Sequence, residues 1–183
     1  TVTQDQLAQL RNGGFNRISF GVQSSQPHHL ELMGRIHDYP QALESIKNAE
    51  LVGFENINAD LIYGLPRQTL VEWEDTLGQV LELGLQHISL YALGIEEGTP
   101  LWDWVKDGHV DQPDDDLAAA MFELAQEKLS HSSFYPYEIS NYALQSAHID
   151  WRCQHNLQYW RNLPYLGIGA GAHGSFNHNR TEN

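Results

Sequence analysis

The chain has 183 residues, 41% hydrophobic and 19% charged, so it holds enough apolar material for a sizeable core and too little charge for a disordered chain. Acidic residues outnumber basic ones 24 to 10 and are spread over both halves, a balance that argues against nucleic acid and against an anionic membrane surface as partners. No apolar run approaches the roughly 20 residues of a membrane span and no signal peptide is visible, so the chain reads as cytoplasmic. A single cysteine, Cys153, excludes a disulfide framework and any all-cysteine metal site built from this chain alone.

The opening "TVTQDQLAQLRNGGFNR" carries Leu7 and Leu10 at helical spacing and stops at Gly13-Gly14. Because it starts inside a helix–strand unit without an initiator methionine, the chain reads as a piece of something longer. "RISFGVQ" alternates Ile18, Phe20 and Val22 with smaller or polar residues, which predicts a strand. "YPQALESIKNAELVGF" sets Leu43, Ile46 and Ala49 on one helical face and ends at Gly53. In "NINADLIYGLPRQT" a strand puts Ile57, Ala59, Leu61 and Tyr63 on one face, and Asn56, Asn58 and Asp60 with Ile62 on the other. A carboxylate near the end of a buried strand is costly unless something meets it. Water or a backbone turn would serve Asp60 as well as a ligand would.

Thr69 and Glu72 then form a capping box, and Leu70, Trp73, Leu77, Val80, Leu81 and Gly84 line one helical face. "HISLYAL" predicts a third strand. Strand, helix, strand, helix, strand is the rhythm of parallel β/α units, in an open doubly wound sheet or a β/α barrel. Polar residues at alternate strand positions favour the barrel, whose lumen can hold them. In both architectures ligands sit at the C-terminal strand ends, so Gln23, Asp60 with Ile62, and Leu93-Gly94 are expected on one rim.

Past Gly98-Thr99-Pro100 the pattern changes, which divides the chain into β/α units over 1–100 and a small α+β segment over 101–183. Leu101, Trp102, Trp104 and Val105 form a short apolar cluster; a helix begins after Pro113 at Asp114–Asp116; "YPYEISNYA" alternates as a single strand. Gly169, Gly171 and Gly174 match G-x-G-x-x-G, but nine residues remain after Gly174, too few for a dinucleotide site, and close backbone packing is the better explanation. His148, Asp150, Cys153 and His155 fit none of the usual zinc spacings. In "HNLQYW", a helix would put His155 and Tyr159 on one face beside Trp160. An imidazole beside flat aromatic surface can ligate an iron porphyrin, and a hydrogen-bonded structural histidine fits the same residues.

"RISFGVQS", "MGRIHDY", "INADLIYGLPRQT", "LYAL", "GTPL", "YEISNYA", "CQHNLQYW" and "YLGIGAGAHG", in this order, resemble the radical SAM proteins related to oxygen-independent coproporphyrinogen III oxidase, most of all their heme-chaperone branch. The resemblance covers nearly the whole chain. It implies the later part of an incomplete, six-unit TIM-like barrel that holds a [4Fe–4S] cluster and S-adenosylmethionine. Gln23, Arg35 and Asp60 then match positions that contact S-adenosylmethionine, with Ile62 against the adenine and the backbone near Gly94 at its edge. H-N-x-x-Y-W marks the chaperone branch, which implies heme held by His155 as iron ligand with Tyr159 and Trp160, and transfer to an acceptor protein. The alternatives are the oxidase, which would use a 5′-deoxyadenosyl radical to start propionate decarboxylation, and a cluster-free interaction module. The family's C-x-x-x-C-x-x-C loop is not in this chain, which points to missing upstream barrel units.

Overall fold

Three parallel strands, β1 (Arg17–Gln23), β2 (Asn56–Tyr63) and β3 (His87–Ala92), form the centre of the computed structural model, which describes residues 2–176 and 179–182. Before β1 lies α1 (Gln4–Asn12), started by a Thr3–Gln6 capping box and tied back to the end of the next long helix by Arg11 Nε–H donating to Gly53 O at 2.8 Å. Between β1 and β2 run α2 (Pro27–Leu32) and α3 (Tyr39–Leu51), and between β2 and β3 runs α4 (Leu70–Leu81). The expected Thr69–Glu72 capping box is present at α4.

α5 (Pro100–Lys106) is one of two short helices, with α2, that the sequence reading passed over; Thr99 caps it and Pro100 opens it. α6 (Asp115–His131), capped by Asp114, leads to β4 (Phe134–Pro136) and β5 (Asn141–Leu144). The single strand expected over Tyr135–Ala143 is therefore two. The chain reverses between them, with Tyr137 N–H donating to Asn141 O at 3.1 Å and the Asn141 amide to Glu138. Alternation cannot register such a turn, because both arms continue the same two-residue period.

The sheet order is β1-β2-β3-β5-β4, with β5 antiparallel to β3 and β4 antiparallel to β5. The α/β class with parallel units holds. Residues 101–151 do not form a segment apart from residues 1–100: β5 extends the sheet, Met121, Ala125 and Leu129 of α6 share its core, and the compact units are Thr1–Trp151 and Arg152–Asn183. Ile57, Ala59, Leu61, Ile88 and Leu90 of the sheet pack with Ala42, Ile46 and Ala49 of α3 and Trp73, Leu77 and Val80 of α4. Each such large side chain contributes about 1.5–3 kcal/mol on burial. Trp73 is fully buried, meets Tyr63 at 5.5 Å between ring centroids, and satisfies its indole N–H by donating to Met121 O at 2.8 Å.

The second unit contains α7 (Gln154–Trp160), β6 (His173–Phe176) and β7 (Asn179–Glu182), the last two paired antiparallel, with Tyr165 bridged to Ser175. Its glycines divide. A Cβ at Gly174 would lie 2.7 Å from Thr181 Oγ1, as close packing predicts, whereas Gly169 and Gly171 have φ of +106° and +70° with open space around them and serve the turn. No helix among the described residues is long and apolar enough to cross a membrane.

Candidate functional site

The face of the sheet opposite the helical core is polar. Strand register sets Ser19, Asn58 and His87 in one row and Gly21, Asp60 and Ser89 in the next. These side chains bond across the strands. Ser19 Oγ–H donates to Asp60 Oδ2 at 2.7 Å, while the Asn58 amide donates to Asp60 Oδ1 at 2.8 Å and to Ser19 Oγ at 2.6 Å. His87 is fully buried, with Nδ1 at 2.5 Å from Asn58 Oδ1 and Nε2 at 2.7 Å from the Tyr137 hydroxyl. Asn58 Oδ1 can only accept, so Nδ1 carries the proton and Nε2 accepts from Tyr137. Ser89 Oγ–H reaches Asn141 Oδ1 at 2.7 Å and Asn58 Oδ1 at 3.1 Å.

The donors from Tyr137 through His87 and Asn58, and from Ser19, lead to Asp60, whereas Ser89 makes its shorter bond to Asn141. Burial, reinforced by the positive charge of Arg17, pushes the His87 pKa down to about 3, so the imidazole is neutral and holds one tautomer. The carboxylate thus takes one bond on each oxygen and keeps its remaining lone pairs for the open face. The buried partner that the sequence demanded of Asp60 is this network. The sequence placed Asn58 on the face of Asp60 but did not single out Ser19, His87, Ser89 or Asn141, although each is a polar residue within a strand and, on β1 and β3, on the side opposite the apolar positions.

Gln23 ends β1 in an unusual conformation. Its φ is +68°, and Ser24 N–H donates to Val22 O at 2.9 Å, which makes Gln23 the centre of a positive-φ γ-turn, a rare and strained arrangement. The β1–β2 register slips here, between Gly21 and Gln23. The Gln23 side chain folds back over Gly21, where an added Cβ would stand 2.7 Å from its Nε2, and Gly21 is the residue that pairs with Asp60. Gln23 is 7% exposed and its buried Oε1 has no hydrogen-bond partner among the described residues. An orphaned buried acceptor over a glycine floor, beside a carboxylate with free lone pairs, fits a ligand rich in hydroxyl and ammonium groups.

Ile62 lies two residues beyond Asp60 on the same face, paired with the half-exposed Tyr91. Gly94 follows β3 in open space, next to Leu93, whose N–H donates to Tyr63 O at 2.8 Å. Gln23, Asp60, Ile62 and Gly94 therefore stand at the C-terminal ends of adjacent parallel strands. Arg35 lies on the exposed loop between α2 and α3, and its guanidinium meets no carboxylate among the described residues.

In the second unit, α7 buries Leu157 and leaves His155, Tyr159 and Trp160 exposed. The His155 and Tyr159 rings meet edge to face at 4.9 Å, as the i, i+4 spacing predicts, and Tyr159 meets Tyr165 at 4.6 Å. Cys153 stands at the N-cap of this helix. A [4Fe–4S] cluster needs several thiolates, and one cysteine cannot supply them.

The Radical SAM superfamily profile matches residues 1–80. Over 182 residues the chain is 37% identical to the heme chaperone HemW of Bacillus subtilis, covering 100% of this chain and 47% of that protein. Identity to the heme chaperone HemW of Synechocystis is 42% over 175 residues, covering 94% and 41% of the two chains. The mitochondrial radical S-adenosyl methionine domain-containing protein 1 of Danio rerio is 38% identical over 163 residues, covering 89% and 36%. Among solved structures, coproporphyrinogen III oxidase (HemN) of Escherichia coli, a radical SAM enzyme, superposes with a TM-score of 0.77 over 94% of this chain and 42% of its own; at 23% identity the likeness is one of fold. The chain spans less than half the length of these relatives. The chain thus matches the Radical SAM superfamily over residues 1–80 and is similar along nearly its whole length to HemW heme chaperones.

Proposed function

We propose that this chain forms part of a HemW-like heme chaperone, which binds heme for delivery to an acceptor protein. The observation that carries the reading is α7, where an unburied imidazole stands edge-on to an exposed tyrosine with an exposed tryptophan beside it. Leu163, Leu166 and Ile168 of the same unit are also exposed, at 47%, 78% and 90%. A porphyrin is large, flat and apolar, and this surface offers it an axial nitrogen and contact area.

The strand ends supply the second half of the proposal. Asp60 accepts from the ribose hydroxyls of S-adenosylmethionine, and Gln23 Oε1 accepts from its ammonium group. Arg35 closes from its loop on the methionyl carboxylate through a two-pronged bond. Ile62 covers the adenine, whose edge meets the backbone near Gly94. The Radical SAM match implies a [4Fe–4S] cluster beside this ligand, for which the one cysteine of these 183 residues would not suffice. In the complete barrel, further β/α units would pair with the edge of β1 that has no partner strand among the described residues.

The test is a heme titration of the full-length protein and of its His155→Ala variant. Loss of the Soret shift and weaker binding in the variant are expected; equal spectra and affinity would remove the ligand assignment. The same material, assayed anaerobically with reconstituted cluster, should not decarboxylate coproporphyrinogen III. Turnover there would favour the oxidase.

A further inference from the structure

Outside the strand-end site, one group of side chains among the described residues has the composition of a metal centre. His28 and His29, in α2, face Glu72 in the first turn of α4, and one ligand atom from each lies within 4.8 Å of the others. His28 Nε2 is 3.1 Å from Glu72 Oε1, and His29 Nε2 is 4.0 Å from Glu72 Oε2. Two donors bound to zinc at about 2.0–2.1 Å in tetrahedral geometry stand about 3.3 Å apart, so small side-chain shifts would bring these atoms into range.

His29 makes the group more than a surface ion pair. The residue is 1% exposed, and its Nε2 is buried without a hydrogen-bond partner among the described residues. Its other nitrogen, Nδ1, lies 3.1 Å from Ser24 Oγ. With Nδ1–H donating to Ser24, the lone pair of Nε2 points towards Glu72 and meets no donor among the described residues. This is the arrangement of a metal-ligating histidine, whose second ring nitrogen is held by an outer partner.

The scaffold is already tied together. Ser25 Oγ bonds Thr76 Oγ1 at 2.9 Å and Gln26 Nε2 donates to Asp75 Oδ2 at 2.8 Å, which fastens the segment before α2 to the face of α4 that carries Glu72. Glu72 Oε2 is committed to the capping box, accepting from Thr69 N–H and Oγ–H at 2.8 Å each. Oε1 remains for an ion. The nearby helix N-termini oppose a cation, but weakly and within one turn, and the Glu72 carboxylate counters them.

We propose that His28 Nε2, His29 Nε2 and Glu72 Oε1 form a binding site for a divalent first-row transition ion, zinc foremost, with water in the fourth position. Two imidazoles and a carboxylate are donors that zinc accepts, and a hard, oxygen-seeking ion such as magnesium or calcium is poorly served by them. The ion would join α2 to α4 just beyond Gln23, so that the strained end of β1 is braced from outside the sheet.

Isothermal titration of zinc chloride into the metal-free full-length protein, and into His28→Ala and Glu72→Gln, tests this. Any uptake elsewhere in the full-length protein would be common to all three, so the expected result is one equivalent fewer in each variant. The zinc-dependent rise in melting temperature should fall with it. Glutamine preserves the capping box, and His28 has a side chain 59% exposed, so both variants should melt like the parent without zinc. If Glu72→Gln does not, His28→Ala decides. Equal stoichiometry and affinity in parent and His28→Ala, or no zinc uptake by the parent at all, would overturn the site.

Discussion

Replacing His87 by Gln should flatten the acid side of the protein's stability profile. The imidazole is fully buried between Asn58 and Tyr137, and its pKa is pushed down to about 3 by burial and then by Arg17. In the unfolded chain it returns to about 6.5. A depressed histidine binds fewer protons folded than unfolded, so stability rises with pH and is lost as pH falls. Its contribution is complete above about pH 6.5 and declines continuously towards pH 3. One proton is worth about 1.4 kcal/mol per pH unit, so between pH 8 and pH 5 this residue alone should remove about 2 kcal/mol. For a chain of this length that is about 4–8 °C in melting temperature.

The variant will be weaker at pH 8, because glutamine cannot reproduce both ring bonds, but its fall on acidification should be smaller than the parent's by about that 2 kcal/mol. Urea melts of both proteins at pH 8 and pH 5 provide the comparison. The other histidines are common to both proteins, so the difference isolates His87. Nitrogen chemical shifts should also show a neutral, Nδ1-protonated ring at pH 5. Equal pH dependence of parent and variant, or a charged ring at pH 5, would refute the argument that the network is uncharged and aimed at Asp60.

Two further predictions concern the strand ends. Asp60→Ala deletes the acceptor on which Ser19 and Asn58 converge. In the full-length protein it should weaken S-adenosylmethionine binding by at least ten-fold, given about 1.5–3 kcal/mol per hydrogen bond to a charged group. Calorimetry showing no loss would remove Asp60 from the site. Gly21→Ala places a methyl 2.7 Å from Gln23 Nε2, and the amide can yield only by leaving its place over the strand. We expect at least a ten-fold weaker ligand affinity, about 1.4 kcal/mol, with little change in melting temperature. Unchanged affinity would mean that Gln23 does not touch the ligand.

The local features of the chain were legible in its sequence. Alternation separated Ile57, Ala59 and Leu61 from Asn58 and Asp60, and Thr69 with Glu72 announced the start of α4, because strand faces and helix caps depend on residues a few positions apart. The i, i+4 spacing likewise foretold the meeting of His155 and Tyr159. What no local period could supply was the pairing between distant segments. Register between β1, β2 and β3 turned scattered polar residues into a bonded series ending on Asp60. The reversal after Pro136 split one apparent strand into two, and packing of α2 on α4 brought His28 and His29 to Glu72. Hydrogen-bond direction and the meeting of remote side chains are properties of three-dimensional contact, and only the tertiary structure decides them.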